Sequence, residues 1–270
     1  MLTAQTGASV GSQFSVTNTP DDPTWRSSIT AITVNGTVLP PAAYDVTKAG
    51  LIVFDPSQSA LLQSTGSKTI VISATAYSTN SITQSLASGV ATQLLITTQP
   101  TAPAADGAVL AVQPVVKLED AYGNLVSSSV NVTALAVQNT WALGGTNTVA
   151  TSAGIATYAG LTAFGTNAVS GATISFSSGL LSATSSSFNI PAPILATLGG
   201  TKLSGGKFVF TFTNATGLTF SVLATNNVTA PIANWPVVGS VVESPVGSGN
   251  YQFTNAPGTN TQLFYRLRQP

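Results

Sequence analysis

The segment at residues 207–213 reads KFVFTFT, with a phenylalanine at every second position. A period of two places all three rings on one face of a β-strand, because successive side chains of a strand point to opposite faces. Similar alternating runs occur along the chain, such as TIVISA at 69–74 and VNVTAL at 130–135, and Gly, Pro, Asn and Asp separate them. No long segment sustains a helical period. The pattern predicts an all-β fold of tandem β-sandwich, Ig-like modules.

Two stretches predict boundaries between modules. Residues 88–91 (SGVA) are small and uncharged, and the prolines of PAP at 191–193 cannot donate to a sheet ladder and favour an extended connector. The expected modules are therefore 1–90, 91–191 and 192–270. Locally, Asn35-Gly36 predicts a type I′ hairpin turn, and residues 57–63 predict one or two turns of helix.

The composition excludes several classes of function. The 270 residues include no His and no Cys, and only 6% are charged, with eight basic and eight acidic side chains. The chain therefore lacks the residues for a Ser-His-Asp or Cys-His centre, a zinc finger or a disulfide scaffold. Direct haem binding is not expected, since only Met1 and tyrosines could ligate the iron. Sparse, balanced charge also argues against nucleic acid as a partner.

The middle module carries the most specific motifs. It opens with ATQLLITTQP at 91–100 and continues with EDAYGN at 119–124 and GIATYAGLT at 154–162. These motifs resemble the bacterial Ig-like modules found in tandem in adhesins and large secreted surface proteins. The resemblance covers residues 91–190 and implies a β-sandwich.

A second pattern consists of Trp25, ITAITVNG at 29–36, Tyr44 and IVISATAY at 70–77. It is similar to a domain family of Gram-positive surface proteins that is named for haemoglobin-interacting members, and it covers residues 25–86. A third pattern consists of FVFTFTNATGLTFSVLATNNV at 208–228 and FYRLR at 264–268. It resembles a C-terminal β domain of very large secreted bacterial proteins, over residues 203–270. Both resemblances imply modules at the cell exterior.

The carboxylates are too scattered to predict a catalytic residue, and no cofactor or metal is expected; calcium is the one ion that the loop carboxylates could hold. Hard cations take clustered carboxylate and carbonyl oxygens in loops. The candidate ligands are Asp21 and Asp22 in one Pro-flanked loop, and Glu119, Asp120 and Asn124 in another. Neither loop gathers three carboxylates, so ordinary turn capping is the expected role of these side chains, with calcium binding as the alternative.

Trp141 is the candidate ligand-binding residue. It lies in the Asn/Gly-rich stretch QNTWALGGTNT, which predicts a loop, and an aromatic ring in a loop can stack on a sugar. Packing inside the module is the alternative for this side chain. Trp25 and Trp235 are expected in the core.

The sequence thus predicts a non-enzymatic extracellular or cell-surface segment, a stalk, spacer or adhesive part of a large bacterial protein. The expected partners are neighbouring modules, other copies of the chain, an extracellular polysaccharide or a host or cell-surface protein, without nucleic acid or a membrane span. The alternatives are a polysaccharide-binding module using Trp141, and a filament subunit joined by β-strand addition through residues 1–16. Residues 1–5 (MLTAQ) lack a basic region and an apolar region, so no signal peptide is expected in this chain.

Overall fold

The computed structural model describes residues 1–193, 198–214, 216–256, 258 and 262–268. Almost all regular structure in these residues is antiparallel β-sheet, together with one five-residue α-helix and four short 3-10 turns. The all-β prediction is confirmed. No helix in the described part of the chain is long and apolar enough to cross a membrane.

The first unit packs two four-stranded sheets against each other. Its strands are β1 (Leu2–Thr3), β2 (Phe14–Asn18), β3 (Ile29–Val34), β4 (Thr37–Val38), β5 (Tyr44–Asp45), β6 (Leu51–Phe54), β7 (Gly66–Ala74) and β8 (Asn80–Leu86). The sheet orders are β1-β2-β6-β5 and β4-β3-β7-β8. Both sheets contribute to one buried apolar cluster, in which the rings of Phe14 and Phe54 stack with centroids 5.1 Å apart. This arrangement is a β-sandwich.

Three local features of the first unit test the sequence patterns. The β3–β4 hairpin turns at Asn35 and Gly36 with φ of 49° and 83°, which confirms the type I′ turn. The segment predicted to be helical forms two 3-10 turns, Pro56–Gln58 and Ala60–Leu62. The α-helix α1 (Pro23–Ser27) was not predicted, because it is too short to show a period.

The second unit has eleven strands in several small sheets. They are β9 (Gln93–Thr98), β10 (Val115–Glu119), β11 (Asn131–Ala136), β12 (Trp141–Gly144), β13 (Thr148–Ala150), β14 (Ile155–Thr157), β15 (Thr162–Gly165), β16 (Val169–Ala172), β17 (Ile174–Ser178), β18 (Leu181–Thr184) and β19 (Phe188–Ile190). The sheet orders are β14-β10-β9, β13-β11-β17-β18, β12-β15 and β16-β19. Tyr158 lies in the shared core and donates its hydroxyl hydrogen to the Val132 carbonyl at 2.8 Å.

The third unit packs two three-stranded sheets. Its strands are β20 (Gly199–Ser204), β21 (Lys207–Thr213), β22 (Phe220–Thr225), β23 (Val237–Val241), β24 (Asn250–Asn255) and β25 (Phe264–Arg268), with a 3-10 turn at Ile232–Asn234. The sheet orders are β20-β21-β24 and β23-β22-β25. Phe208, Phe210 and Phe212 follow one another on the core side of β21, with neighbouring ring centroids 5.9 and 6.3 Å apart. The single-face arrangement predicted from KFVFTFT is confirmed.

The buried apolar residues form three clusters, within residues 8–86, 94–190 and 210–253. Tyr122, from the second unit, packs against the cluster of the first. The division into modules at 1–90, 91–191 and 192–270 remains a prediction, and the clusters are the observation that supports it.

Candidate functional site: a joint at the Asp120 loop

The EDAYGN turn follows strand β10 and is organised by one carboxylate. Asp120 Oδ1 accepts the backbone N–H groups of Tyr122 at 2.9 Å and of Asn124 at 3.0 Å. Gly123 has a φ of 80°, a left-handed conformation that Gly adopts without strain. The turn is therefore fixed by residues that local sequence chemistry favours at such positions.

The second oxygen of Asp120 reaches residues that precede the second unit. Asp120 Oδ2 accepts the N–H of Gly89 at 2.9 Å, and only 1% of Asp120 is exposed. Asn124 donates from Nδ2 to the Gln63 carbonyl at 2.8 Å, and its Oδ1 accepts the N–H of Thr65 at 3.2 Å. The loop of the second unit thus holds the first unit through both its Asp and its Asn side chains.

Close backbone packing completes this joint, which we define as residues 119–124 with Gly11, Gln63, Thr65 and Gly89. A Cβ built on Gly11 would lie 2.8 Å from the Cα of Gly89, closer than real Cβ atoms come. Neither glycine has a positive φ, so the requirement is for space and not for a special backbone conformation. The joint therefore combines hydrogen bonds between the two units with a contact inside the first unit, between Gly11 and Gly89, that tolerates no side chain.

The electrostatics of the joint favour an ionised Asp120. Burial alone would raise the pKa of Asp120, but the N–H donors of Gly89, Asn124 and Tyr122 outweigh it and hold the pKa below its ordinary range. A carboxylate with several fixed donors is a strong acceptor. The charge of Asp120 therefore stabilises the joint at neutral pH.

The candidate calcium ligands lie in two separate loops, and in each loop their side-chain oxygens already accept hydrogen bonds from the protein. Asp120 and Asn124 serve the joint, and the buried Glu119 accepts from Gln93 Nε2 at 3.2 Å. Within the described residues, no three Asp, Glu, His or Cys side chains cluster as a metal site requires. Calcium binding by this loop remains a prediction, and it would have to displace protein donors.

Asp21 and Asp22 frame the start of helix α1. Asp21 forms a two-pronged ion pair with Arg26, at 2.7 Å to Nε and 3.1 Å to Nη2, and this hydrogen bond lowers the pKa of Asp21. Asp22 caps the helix by accepting the N–H of Trp25 at 2.9 Å. An ion pair for Asp21 and helix capping for Asp22 thus account for the two carboxylates, and calcium binding by them remains an untested alternative.

Trp141 does not lie in a loop: it begins strand β12. Its ring is 6% exposed, packs edge-on against Phe188 with centroids 5.7 Å apart, and donates its indole N–H to Gln138 at 2.9 Å. The loop assignment was wrong because the Asn and Gly residues around it form tight turns on either side of a short strand. Trp141 also lines a cavity of about 400 Å³. Ligand binding by Trp141 remains a prediction, and it would involve only the edge of the ring that faces this cavity.

The same cavity contains a buried acid that the sequence did not single out. Asp106 Oδ1 accepts the N–H of Gly165 at 2.7 Å, and burial raises the pKa of Asp106. Sequence reasoning also missed Gly11, Gln63 and Gly89 as parts of the joint. Of these three, only Gly89 lies in a stretch that the sequence singles out, the predicted boundary at 88–91. Gly11 and Gln63 gave no signal, because their partners lie far away in the chain.

A comparison with known protein families finds a similarity in the first unit. Residues 2–87 match the family model described as "Heme-binding protein Shr-like, Hb-interacting domain". The resemblance predicted for residues 25–86 is confirmed, and it extends over nearly the whole first unit. None of the curated proteins compared with the chain matches it.

Several solved structures are similar at low identity. Domains A168-A170 from titin are 13% identical, with 99% of this chain and 90% of that chain covered and a TM-score of 0.28. Three N-terminal domains of the bacteriophage RB49 Highly Immunogenic Outer Capsid protein are 12% identical, with 100% and 92% covered and a TM-score of 0.26. The Parabacteroides merdae beta-glucuronidase is 16% identical, and the match spans 58% of this chain but 20% of the enzyme, with a TM-score of 0.25. Likeness at these TM-scores carries no argument about function.

Proposed function

We propose that the chain is a non-enzymatic segment of a large extracellular bacterial protein, in which it acts as a stalk or spacer. The joint is the observation that carries this proposal. Gly89, Gln63 and Thr65 are each tied to the Asp120 loop by a hydrogen bond, and Tyr122 packs on the first core. A spacer needs such fixed connections, because a free linker would let successive units swing.

The surface chemistry supports the same role. With 6% charged residues, hydroxyl and amide groups carry most of the hydration of the sheets. Salt screens ionic contacts strongly and neutral hydrogen bonds little. A stalk of this composition should keep its shape over a wide range of ionic strength.

A distance measurement across the joint tests the proposal. The chain has no Cys, so spin labels can be placed at Val38→Cys and Leu180→Cys, two exposed positions in the first and second units. We expect a narrow distance distribution in the parent protein. Asn124→Ala, which removes the bonds to Gln63 and Thr65, should broaden it.

Asn167→Ala is the matched control, because Asn167 is an exposed asparagine of a loop in the second unit outside the joint. It should leave the distribution unchanged. A broad distribution in the parent protein, or equal effects of Asn124→Ala and Asn167→Ala, would reject a fixed joint and with it the spacer role.

The family match favours a second candidate, recognition of a host protein such as haemoglobin by residues 2–87. The chain has no His or Cys to hold haem iron, so the proposed contact is with the globin surface. Immobilised full chain should retain haemoglobin but not free haem. Retention of free haem alone, or of neither, would rule this candidate out.

In the filament alternative, a terminal segment must be free to pair with another chain. The alternative uses residues 1–16 for β-strand addition, but β1 pairs with β2, and Phe14 and Val16 are buried in the first core. Giving this segment to another chain would open the first sandwich. We therefore favour the spacer over the filament.

A further inference from the structure

The third unit has a charge imbalance that the balanced total conceals. From residue 198 onwards the sequence carries four basic side chains and one acidic one, whereas residues 1–193 carry four basic and seven acidic. The four basic residues of the third unit are all exposed: Lys202, Lys207, Arg266 and Arg268. An imbalance of this kind creates a positive potential at one end of a nearly uncharged molecule.

The single acid of the third unit does not neutralise these cations. Glu243 is 8% exposed, and it accepts the N–H groups of Gly247 at 2.7 Å and Gly249 at 3.0 Å. Across the described residues, the one salt bridge is the pair of Arg26 and Asp21 in the first unit. Arg266 and Arg268 are therefore exposed without an ionic partner in the described part of the chain.

Strand β25 places the two arginines side by side. Tyr265 and Leu267 pack on the core, so Phe264, Arg266 and Arg268 face outwards. The two arginines are two positions apart, or roughly 7 Å along the strand. β25 is also an edge strand, which leaves this row accessible from the side.

The neighbouring strand adds hydroxyl groups to the same face. In the β22–β25 register, Ser221 lies opposite Arg268 and Thr225 lies opposite Phe264. Directly opposed residues of paired strands share a face. The outer face of this sheet therefore combines two guanidinium groups, two hydroxyls and a half-buried aromatic ring around Leu223, which lies opposite Arg266 and is 1% exposed. The Thr225 hydroxyl also donates to the Asn227 carbonyl at 3.3 Å.

We propose that this face, defined by Phe264, Arg266, Arg268, Ser221 and Thr225, binds a carboxylated polysaccharide. Guanidinium groups bind carboxylates with two parallel hydrogen bonds, and hydroxyls suit sugar hydroxyls. The spacing of the arginines suits a polymer with separated charges. Duplex nucleic acid is disfavoured for another reason, because its binding draws on many Lys and Arg contacts and the whole chain has only eight basic residues balanced by eight acids.

A second copy of the chain offers no matching acidic surface. Each of the seven acids before residue 194 is paired, capping a turn or helix, or buried: Asp21, Asp22, Asp45, Asp55, Asp106, Glu119 and Asp120. Single carboxylates that are already engaged offer weak partners for a pair of arginines, so we assign the complementary charge to a molecule outside the chain.

The test is retention of the full chain in affinity electrophoresis through gels containing polygalacturonate, with length-matched dextran and duplex DNA as comparison polymers. We expect retention by polygalacturonate at low salt, none by dextran, and weaker retention by DNA. The double variant Arg266→Gln/Arg268→Gln should weaken retention at least tenfold, because hydrogen bonds to charged groups are lost.

Lys202→Gln/Lys207→Gln is the matched control, with the same change in net charge on the other sheet. It should change retention by less than about threefold, since exposed charges away from the site act weakly. Thermal unfolding of both double variants checks that the fold is kept. Equal losses in the two variants, no retention by polygalacturonate, equal retention by dextran, or tighter retention by DNA would each overturn the proposal.

Discussion

Asp120→Asn should break the joint while leaving the turn in place. The variant Oδ1 can still accept the N–H groups of Tyr122 and Asn124, which meet that oxygen in the protein. The oxygen facing Gly89 becomes an NH₂ group, so two donors then face each other where a 2.9 Å hydrogen bond existed. The Asn124 Nδ2 group, 3.1 Å from the same oxygen, also loses that acceptor but keeps Oδ1 at 3.1 Å. The change is nearly isosteric and adds no steric effect.

The magnitude follows from the bonds lost. A hydrogen bond to a charged acceptor contributes about 1.5–3 kcal/mol, and a partly buried donor left unpaired adds to the loss. We expect Asp120→Asn to lower the free energy of unfolding by about 2–3 kcal/mol. With an m-value near 2 kcal/mol per molar urea, the midpoint of unfolding should fall by about 1 M.

Asp45→Asn is the matched control. Asp45 uses Oδ1 alone, accepting the N–H of Thr47 at 2.8 Å and its hydroxyl at 2.7 Å. An Asn oxygen can replace that acceptor, so the cost should stay within about 0.5 kcal/mol. The assays are urea unfolding of the full chain and hydrogen exchange of the Gly89 amide, which should lose protection in Asp120→Asn only.

The pH dependence gives an independent check with a definite sign. The pKa of Asp120 is lowered by folding, so its stabilisation is present above the ordinary aspartate pKa of about 3.9 and is lost as the pH falls through the folded value. The stability gap between parent and Asp120→Asn should be constant from pH 7 to about 4 and shrink below it. Equal midpoints for Asp120→Asn and Asp45→Asn, or a gap that grows in acid, would refute the reasoning.

Three further predictions concern the second unit. Tyr158→Phe should cost about 1 kcal/mol in urea unfolding, because it removes the buried hydrogen bond from the hydroxyl to the Val132 carbonyl; a cost below 0.3 kcal/mol would contradict that bond. The pKa of Tyr158, raised to about 12 by burial, should keep this phenol out of titrations below pH 11. Burial raises the pKa of Asp106, so the melting temperature of the parent should rise as the pH falls from 7 towards 4. Asp106→Asn should lack that rise, and identical plots of melting temperature against pH for the two proteins would contradict the prediction. Trp141→Ala should lower the free energy of unfolding by about 3–5 kcal/mol, as the loss of a buried aromatic ring does. If Trp141→Phe stays folded but loses glycan-array binding that the parent chain shows, Trp141 would instead be a ligand-binding residue.

The sequence by itself determined the sheets. Alternation places Phe208, Phe210 and Phe212 on one face through geometry that holds for any strand, and Asn35-Gly36 sets its hairpin through the left-handed conformations that those two residues tolerate. The Asp120 turn is equally local, since its carboxylate bonds to N–H groups two and four residues ahead. Such features need no distant partner, so periodicity and turn chemistry reveal them.

Tertiary structure alone decided what these elements touch. The joint brings Gln63 and Gly89 to a loop about thirty to sixty residues away, and no spacing rule connects them. Burial changed Trp141 from a loop aromatic into a core residue, because flanking turns that look flexible in the sequence enclose a paired strand. Which carboxylate oxygens remain free for a ligand depends on donors from other elements, and only the folded chain fixes those donors.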